Sequence, residues 1–128
     1  MTTHEDLASA ANIRLTTFRA NGVGVGTPVW TASDPDHHHV LYTITTAASG
    51  KVKRIRANPL VTIAPSDWQG HAEGDALDAT ARVVESDTES ELIARADTAL
   101  TRKYEESIEL LRSLQRNPWV VLELSLRP

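Results

Sequence analysis

The sequence predicts an antiparallel β-barrel with helical additions, and three observations carry that prediction. Stretches such as "IRLTTFRA" and "WVVLELSL" alternate apolar with polar residues, the period-two signal of half-buried strands. Tight-turn chemistry, "NG" and then "DPDHHH", separates the first three strands, so they read as an antiparallel meander. Helical periodicity interrupts this pattern only in short segments, so helices decorate the sheet and do not alternate with its strands.

Taken in order, Thr3 stands where an N-cap belongs, with Asp6 three residues on and Leu7, Ala8 and Ala11 for the buried side of a short helix. In the first strand Ile13, Leu15 and Thr17 lie opposite Arg14, Thr16 and Phe18. Asn21-Gly22 turns the chain into "VGVGTPVWTAS", where Pro28 calls for a sheet edge. "VLYTITT", rich in β-branched residues, is the third strand. After Ser49 the apolar residues Val52 and Ile55 fall three apart, a short helix that Asn58-Pro59 must end. "LVTIAP" and "LDATARVVES" are the fourth and fifth strands, separated by the polar loop "SDWQGHAEGD". Ser86 and Glu89 have capping-box spacing before an amphipathic stripe of Leu92, Ile93, Ala96, Ala99 and Leu100. A second helical stretch is expected from Tyr104 to Leu114, stopped by Asn117-Pro118, before "WVVLELSL" closes the sheet.

Bulk properties exclude several kinds of function. The 128 residues suit one domain, taken as 1–128, with 41% hydrophobic and 23% charged residues. No cysteine is present, which removes thiolate metal sites, disulfides and cysteine nucleophiles, and agrees with a cytoplasmic location. No apolar run approaches the roughly 18 residues a membrane helix needs, so no membrane partner is expected. A net charge of -4 has the wrong sign for nucleic-acid binding.

Against that acidic balance, "SGKVKRIRANP" gathers Lys51, Lys53, Arg54 and Arg56 behind a Ser-Gly pair. Ser49 can cap the helix, Gly50 admits a ligand close to the backbone, and the first turn offers unpartnered N–H groups at the positive end of the helix dipole. A phosphate or carboxylate suits such a place. Lys51 and Arg54 share one flank of the helix; Lys53 and Arg56 share the other. A solvated surface helix explains the same residues, and spacing alone leaves both readings open.

"LTTFRANGVGVGTPVW", "LYTITTAASGKVKRIRANPLVTIAP" and "DATARVV" together resemble the FMN-binding split β-barrel family that includes the pyridoxamine 5'-phosphate oxidases. They are similar more narrowly to its branch of deazaflavin (coenzyme F420)-dependent oxidoreductases. The resemblance runs from the first strand into the "ARADTALTRKY" region and fails at the N-terminus and the 66–75 loop. It implies a homodimer with cofactor sites at the subunit interface. It places the cofactor phosphate at Ser49, Gly50, Lys51 and Lys53, and the ring system along Pro28, Val29 and Trp30. It brings Thr45 and Thr46 to the ribityl chain or phosphate. Oxidases of the family often carry an arginine where this chain has Gly50, which favours coenzyme F420 over FMN.

The implied activity is hydride transfer between reduced cofactor and a small organic substrate, with the protein supplying binding and electrostatics. No residue stands out as general acid, general base or nucleophile. No metal ligands are assigned, because His37, His38 and His39 alternate faces in an extended chain and read as a polar turn. An FMN-dependent oxidase or reductase and a non-catalytic flavin carrier are the alternatives. Trp68, in the variable loop, is either a lid or a subunit contact, and the acidic residues Glu89, Glu91, Glu105, Glu106 and Glu109 read as a solvated helix face.

Overall fold

The structure, a computed structural model, describes residues 1–85, 87–105, 109 and 118–127. Helix α1 (His4–Ser9) begins with the expected capping box: the Thr3 hydroxyl accepts the Asp6 N–H at 3.1 Å and the Asp6 carboxylate accepts the Thr3 N–H at 2.8 Å. Leu7 is its buried residue, while Ala11 lies beyond the helix and is exposed. Strand β1 (Asn12–Phe18) buries Ile13, Leu15 and Thr17, as its alternation requires. A turn with Gly22 at φ 87° leads into β2 (Gly24–Val29), and two residues later β3 (Ala32–Ser33) begins.

Strand β4 (Val40–Thr46) is followed by α2 (Gly50–Ala57), β5 (Leu60–Ser66), β6 (Leu77–Val84), α3 (Ser90–Tyr104) and β7 (Trp119–Leu126). The strands form one sheet in the order β2-β1-β5-β6-β7-β4-β3, with antiparallel neighbours throughout. This corrects the expected meander. The segment "VGVGTPVWTAS" is not one strand, because it breaks at Trp30 and Thr31, and its halves lie on opposite edges of the sheet. β4 therefore pairs with β3 and β7 and not with β2. Pro28 does sit on an edge strand, as expected of a residue that cannot donate to a central ladder.

That break forces the sheet to curl. Six strand spacings would set β2 and β3 about 29 Å apart in a flat sheet. Val29 and Ala32 are joined by three peptide links, which reach about 11 Å at most. Only a curled sheet brings its two edges that close.

Curling creates an inside and an outside, each with its own core. Ile13, Leu15, Leu41, Val61, Ile63, Ala79, Ala81, Leu122 and Leu124 fill the inside, and Val52 and Ile55 of α2 pack into the same cluster. Tyr42, Ile44, Val84 and Val121 face outward beneath Ala96, Ala99 and Leu100 of α3. β4 is therefore covered on both faces, which is why residues 41–45 are all buried. Two helical expectations change. α3 is preceded by Glu89 without a side-chain cap bond and continues to Tyr104, while Ser86 lies outside the described residues. Glu89, expected on a solvated face, is half-buried and paired: its carboxylate accepts the Glu85 N–H at 2.7 Å and the Arg82 guanidinium at 2.7 Å. Apart from Tyr104, Glu105 and Glu109, the helix expected from Tyr104 to Leu114 lies outside the described residues. Among the described residues no helix is long and apolar enough to cross a membrane.

Candidate functional site

The start of α2 is built by local chemistry. The Ser49 N–H donates to the Thr46 carbonyl at 3.0 Å, turning the chain off β4, and the Ser49 hydroxyl accepts the Val52 N–H at 3.5 Å as an N-cap. The first intrahelical bond runs from the Lys53 N–H to the Ser49 carbonyl, so the N–H groups of Gly50 and Lys51 lie ahead of it. α1 carries Glu5 and Asp6 in its first turn, whereas α2 carries no acid there.

The four basic residues divide as their spacing required. Arg56 is exposed and pairs with Glu85 at 3.3 Å; Lys53 is exposed. Lys51 and Arg54 are half-buried on the other flank, and no carboxylate among the described residues pairs with either. Burial first, and the neighbouring Arg54 charge second, push the Lys51 ammonium below its ordinary pKa. Arg54 reaches back along the helix, as side chains in helices lean toward the N-terminus. Its Nε donates to the Thr17 hydroxyl at 2.6 Å, and its Nη1 lies 2.6 Å from where a Cβ at Gly50 would stand. The space that glycine leaves at position 50 is thus entered by the Arg54 guanidinium.

The strand residues assigned to the cofactor ring sit where β2 ends. Pro28 is exposed, opposite Arg14 in the ladder, while the Val29 side chain is buried in the inner core and leaves only its main chain for a ligand. Trp30 lies past the strand and is half-buried, its ring stacked on Tyr104 at 4.6 Å between centroids and 16° between planes. Thr45 is buried and Thr46 half-buried. As successive strand residues they face opposite sides of the sheet. Thr46 pairs with Trp119 across the ladder, and Trp30 and Trp119 both pack on the outer cluster that contains Ile44. Both tryptophans thus belong to the outer cluster beneath α3, whereas Arg54 of α2 bonds Thr17, which faces Val25 near the start of β2. Between β4, β7 and α3 a mainly apolar pocket of 240 Å³ is lined by Ile44, Ile93, Leu100, Trp119 and Val121, with Asp97 at its wall.

The 66–75 loop is pinned against β1 and β2. The Arg14 Nη1 donates to the Gly70 carbonyl at 2.8 Å, and Gly70, at φ 89°, packs so closely on Pro28 that a Cβ there would meet Pro28 Cδ at 2.9 Å. Trp68 stands 74% exposed on this loop. His37 and His39 meet edge-on at 6.1 Å, and no three metal-ligating side chains converge among the described residues.

Solved structures share this arrangement of strands and helices. The heme storage protein HutZ of Vibrio cholerae superposes with a TM-score of 0.70 at 18% identity, over 97% of this chain and 87% of that one. This chain is a split barrel. A FAD-binding protein of Mesorhizobium loti matches the barrel with a TM-score of 0.68 at 17% identity, over 97% of this chain and 84% of that one. A putative pyridoxamine 5'-phosphate oxidase of Listeria innocua matches with a TM-score of 0.63 at 16% identity, over 97% and 90%. At these identities the likeness is one of fold. No family model matches the split-barrel sequence, and no curated protein does.

Sequence reasoning had paired Arg54 with Lys51 by flank, and the i,i+4 spacing from Gly50 was the available signal for its final position. It missed the long-range hydrogen bonds of Tyr104, Lys103 and Thr17. Their partners lie 37 to 93 residues away, and no local pattern announces them.

Proposed function

We propose that this split barrel is an oxidoreductase that binds a deazaflavin cofactor of the coenzyme F420 type where β4 passes into α2, and reduces or oxidises a small organic substrate there. The observation that carries the reading is the half-buried pair Lys51 and Arg54, set at the positive end of α2 with no carboxylate beside them. Two desolvated cations without an anion are costly, and a phosphate ester removes that cost. The cofactor, when bound, supplies the hydride chemistry. Ser49, Gly50 and Lys51 hold its phosphate, with Lys53 at the rim. The Thr46 side of β4 and the main chain of Pro28 and Val29, with the Trp30 ring, border the rest of the molecule. The chain supplies no proton donor or nucleophile in this scheme, and orientation and water exclusion are its contribution. Likeness in fold to proteins described as FAD-binding and as a putative pyridoxamine 5'-phosphate oxidase supports a flavin-type ligand.

FMN is the second reading, and one observation favours it. The Arg54 guanidinium over Gly50 supplies, from one helical turn away, a positive group at the place where FMN oxidases often carry an arginine. The Gly50 departure therefore does not exclude FMN.

Parallel titration of the protein with coenzyme F420 and with FMN separates the two, haem serving as a third arm. Lys51→Ala is expected to weaken the preferred ligand by about 1.5–3 kcal/mol, the range for hydrogen bonds to charged groups. Affinity unchanged by that substitution at low salt makes the basic stretch a solvated face. A wild-type protein that binds neither cofactor refutes the proposal.

A further inference from the structure

We infer that Arg54 is the residue that makes the proposed site selective for a phosphorylated ligand, and that position 50 is glycine to admit the Arg54 guanidinium. The inference rests on the reading of α2 as the phosphate end of a cofactor site, but it adds a residue and a mechanism of selection to it. Three features support it. The guanidinium is held, because its Nε donates to the Thr17 hydroxyl at 2.6 Å, which leaves the two Nη groups to turn toward a ligand. Its Nη1 lies 2.6 Å from the Cβ position of Gly50, beside the amide groups that precede the first intrahelical bond. Lys51 stands on the same flank close enough for the two charges to oppose each other, and no carboxylate among the described residues neutralises either.

A planar guanidinium with two free donors matches two oxygens of a phosphate, and a hydroxyl at the same place offers it no charge to match. Arg54 therefore separates a ribityl phosphate from the unphosphorylated ribityl alcohol. Both FMN and coenzyme F420 carry that phosphate, so the selection is common to them. The glycine requirement is steric: a methyl group at position 50 displaces the flexible end of Arg54 while the helix itself stands, since alanine is the better helix former.

The test uses the full chain with Gly50→Ala, Arg54→Ala and Arg54→Lys, each checked for fold by circular dichroism. Inorganic phosphate, FMN, coenzyme F420 and riboflavin are the probes. Wild-type protein is expected to melt higher in phosphate than in chloride of equal ionic strength, and all three variants to lose most of that rise. Affinity for whichever phosphate ester binds should fall about ten- to hundredfold in Gly50→Ala and Arg54→Ala, with riboflavin affinity unchanged. Arg54→Lys should restore little of it, because an ammonium cannot fork. Variants with wild-type responses to phosphate and to the esters would overturn the inference and leave Arg54 as a tie to β1. An equal loss for riboflavin would also overturn it. An Arg54-dependent phosphate response in a protein that binds neither cofactor would uphold the inference while refuting the proposed function. Indifference of wild-type protein to phosphate and to both esters would overturn the two together.

Discussion

Asp34 shows how one buried charge organises its surroundings. It is 1% exposed, yet its carboxylate accepts the Tyr42 hydroxyl at 2.5 Å, the Asp36 N–H at 2.9 Å and two Arg95 nitrogens at 3.1 and 2.7 Å. Burial by itself raises a carboxyl's pKa, but Arg95, Tyr42 and the Asp36 amide outweigh it and hold Asp34 well below its ordinary 3.8. A carboxylate with a depressed folded pKa binds fewer protons folded than unfolded. Its stabilisation is therefore complete above pH 3.8 and is lost as the pH falls below it. Asp34→Asn should flatten the acid limb of the stability curve, measured by urea denaturation at several pH values. Asp34→Ala should in addition cost about 1–3 kcal/mol at pH 7, because the Tyr42 hydroxyl, buried at 2% exposure, loses its acceptor.

At the scale of elements, the last turn of α3 holds the crossover that closes the barrel. The Lys103 ammonium donates to the carbonyls of Ala10 at 2.7 Å and Thr31 at 2.6 Å, and burial lowers its pKa to about 8. The Tyr104 hydroxyl accepts the Thr31 N–H at 3.1 Å and is 3.0 Å from the carbonyls of Thr31 and Ala11, while burial pushes its pKa up to about 12. Thr31 is fully buried, so its N–H has no water to turn to. Tyr104→Phe should cost about 1–3 kcal/mol in chemical denaturation and loosen Trp30, seen as a changed tryptophan emission. Loss of cofactor affinity in the same variant would show that the stacked Trp30 borders the ligand.

For the molecule as a whole, the curled sheet has one end plugged by α2 and one outer face covered by α3. Trp68, Val23 and Leu60 stand 74%, 54% and 46% exposed. We propose, from the resemblance to the split-barrel oxidases, that two copies share each cofactor site, and sedimentation equilibrium at micromolar concentration is expected to give a dimer. A monomer that still binds cofactor removes the premise that the partner completes the site.

The elements were legible from the sequence because their causes are local. Strands at residues 40–46 and 119–126 match "VLYTITT" and "WVVLELSL" end for end, and the Thr3 and Ser49 caps and the Asn58-Pro59 stop lie where their side chains dictate. The division of Lys51 and Arg54 from Lys53 and Arg56 followed from helix periodicity in the same way. Tertiary structure alone decided which strands are neighbours, since β4 pairs with β7 across more than seventy residues and no local pattern encodes a partner at that distance. It also broke "VGVGTPVWTAS" at Trp30 and Thr31, which carry no turn chemistry, because closing the sheet required a step from one edge to the other. It set Thr45 and Thr46 on opposite faces and seated the Arg54 guanidinium beside Gly50. Hydrogen-bonding and capping preferences act within a few residues, whereas the pairing of charges and the meeting of edges depend on the whole chain being folded.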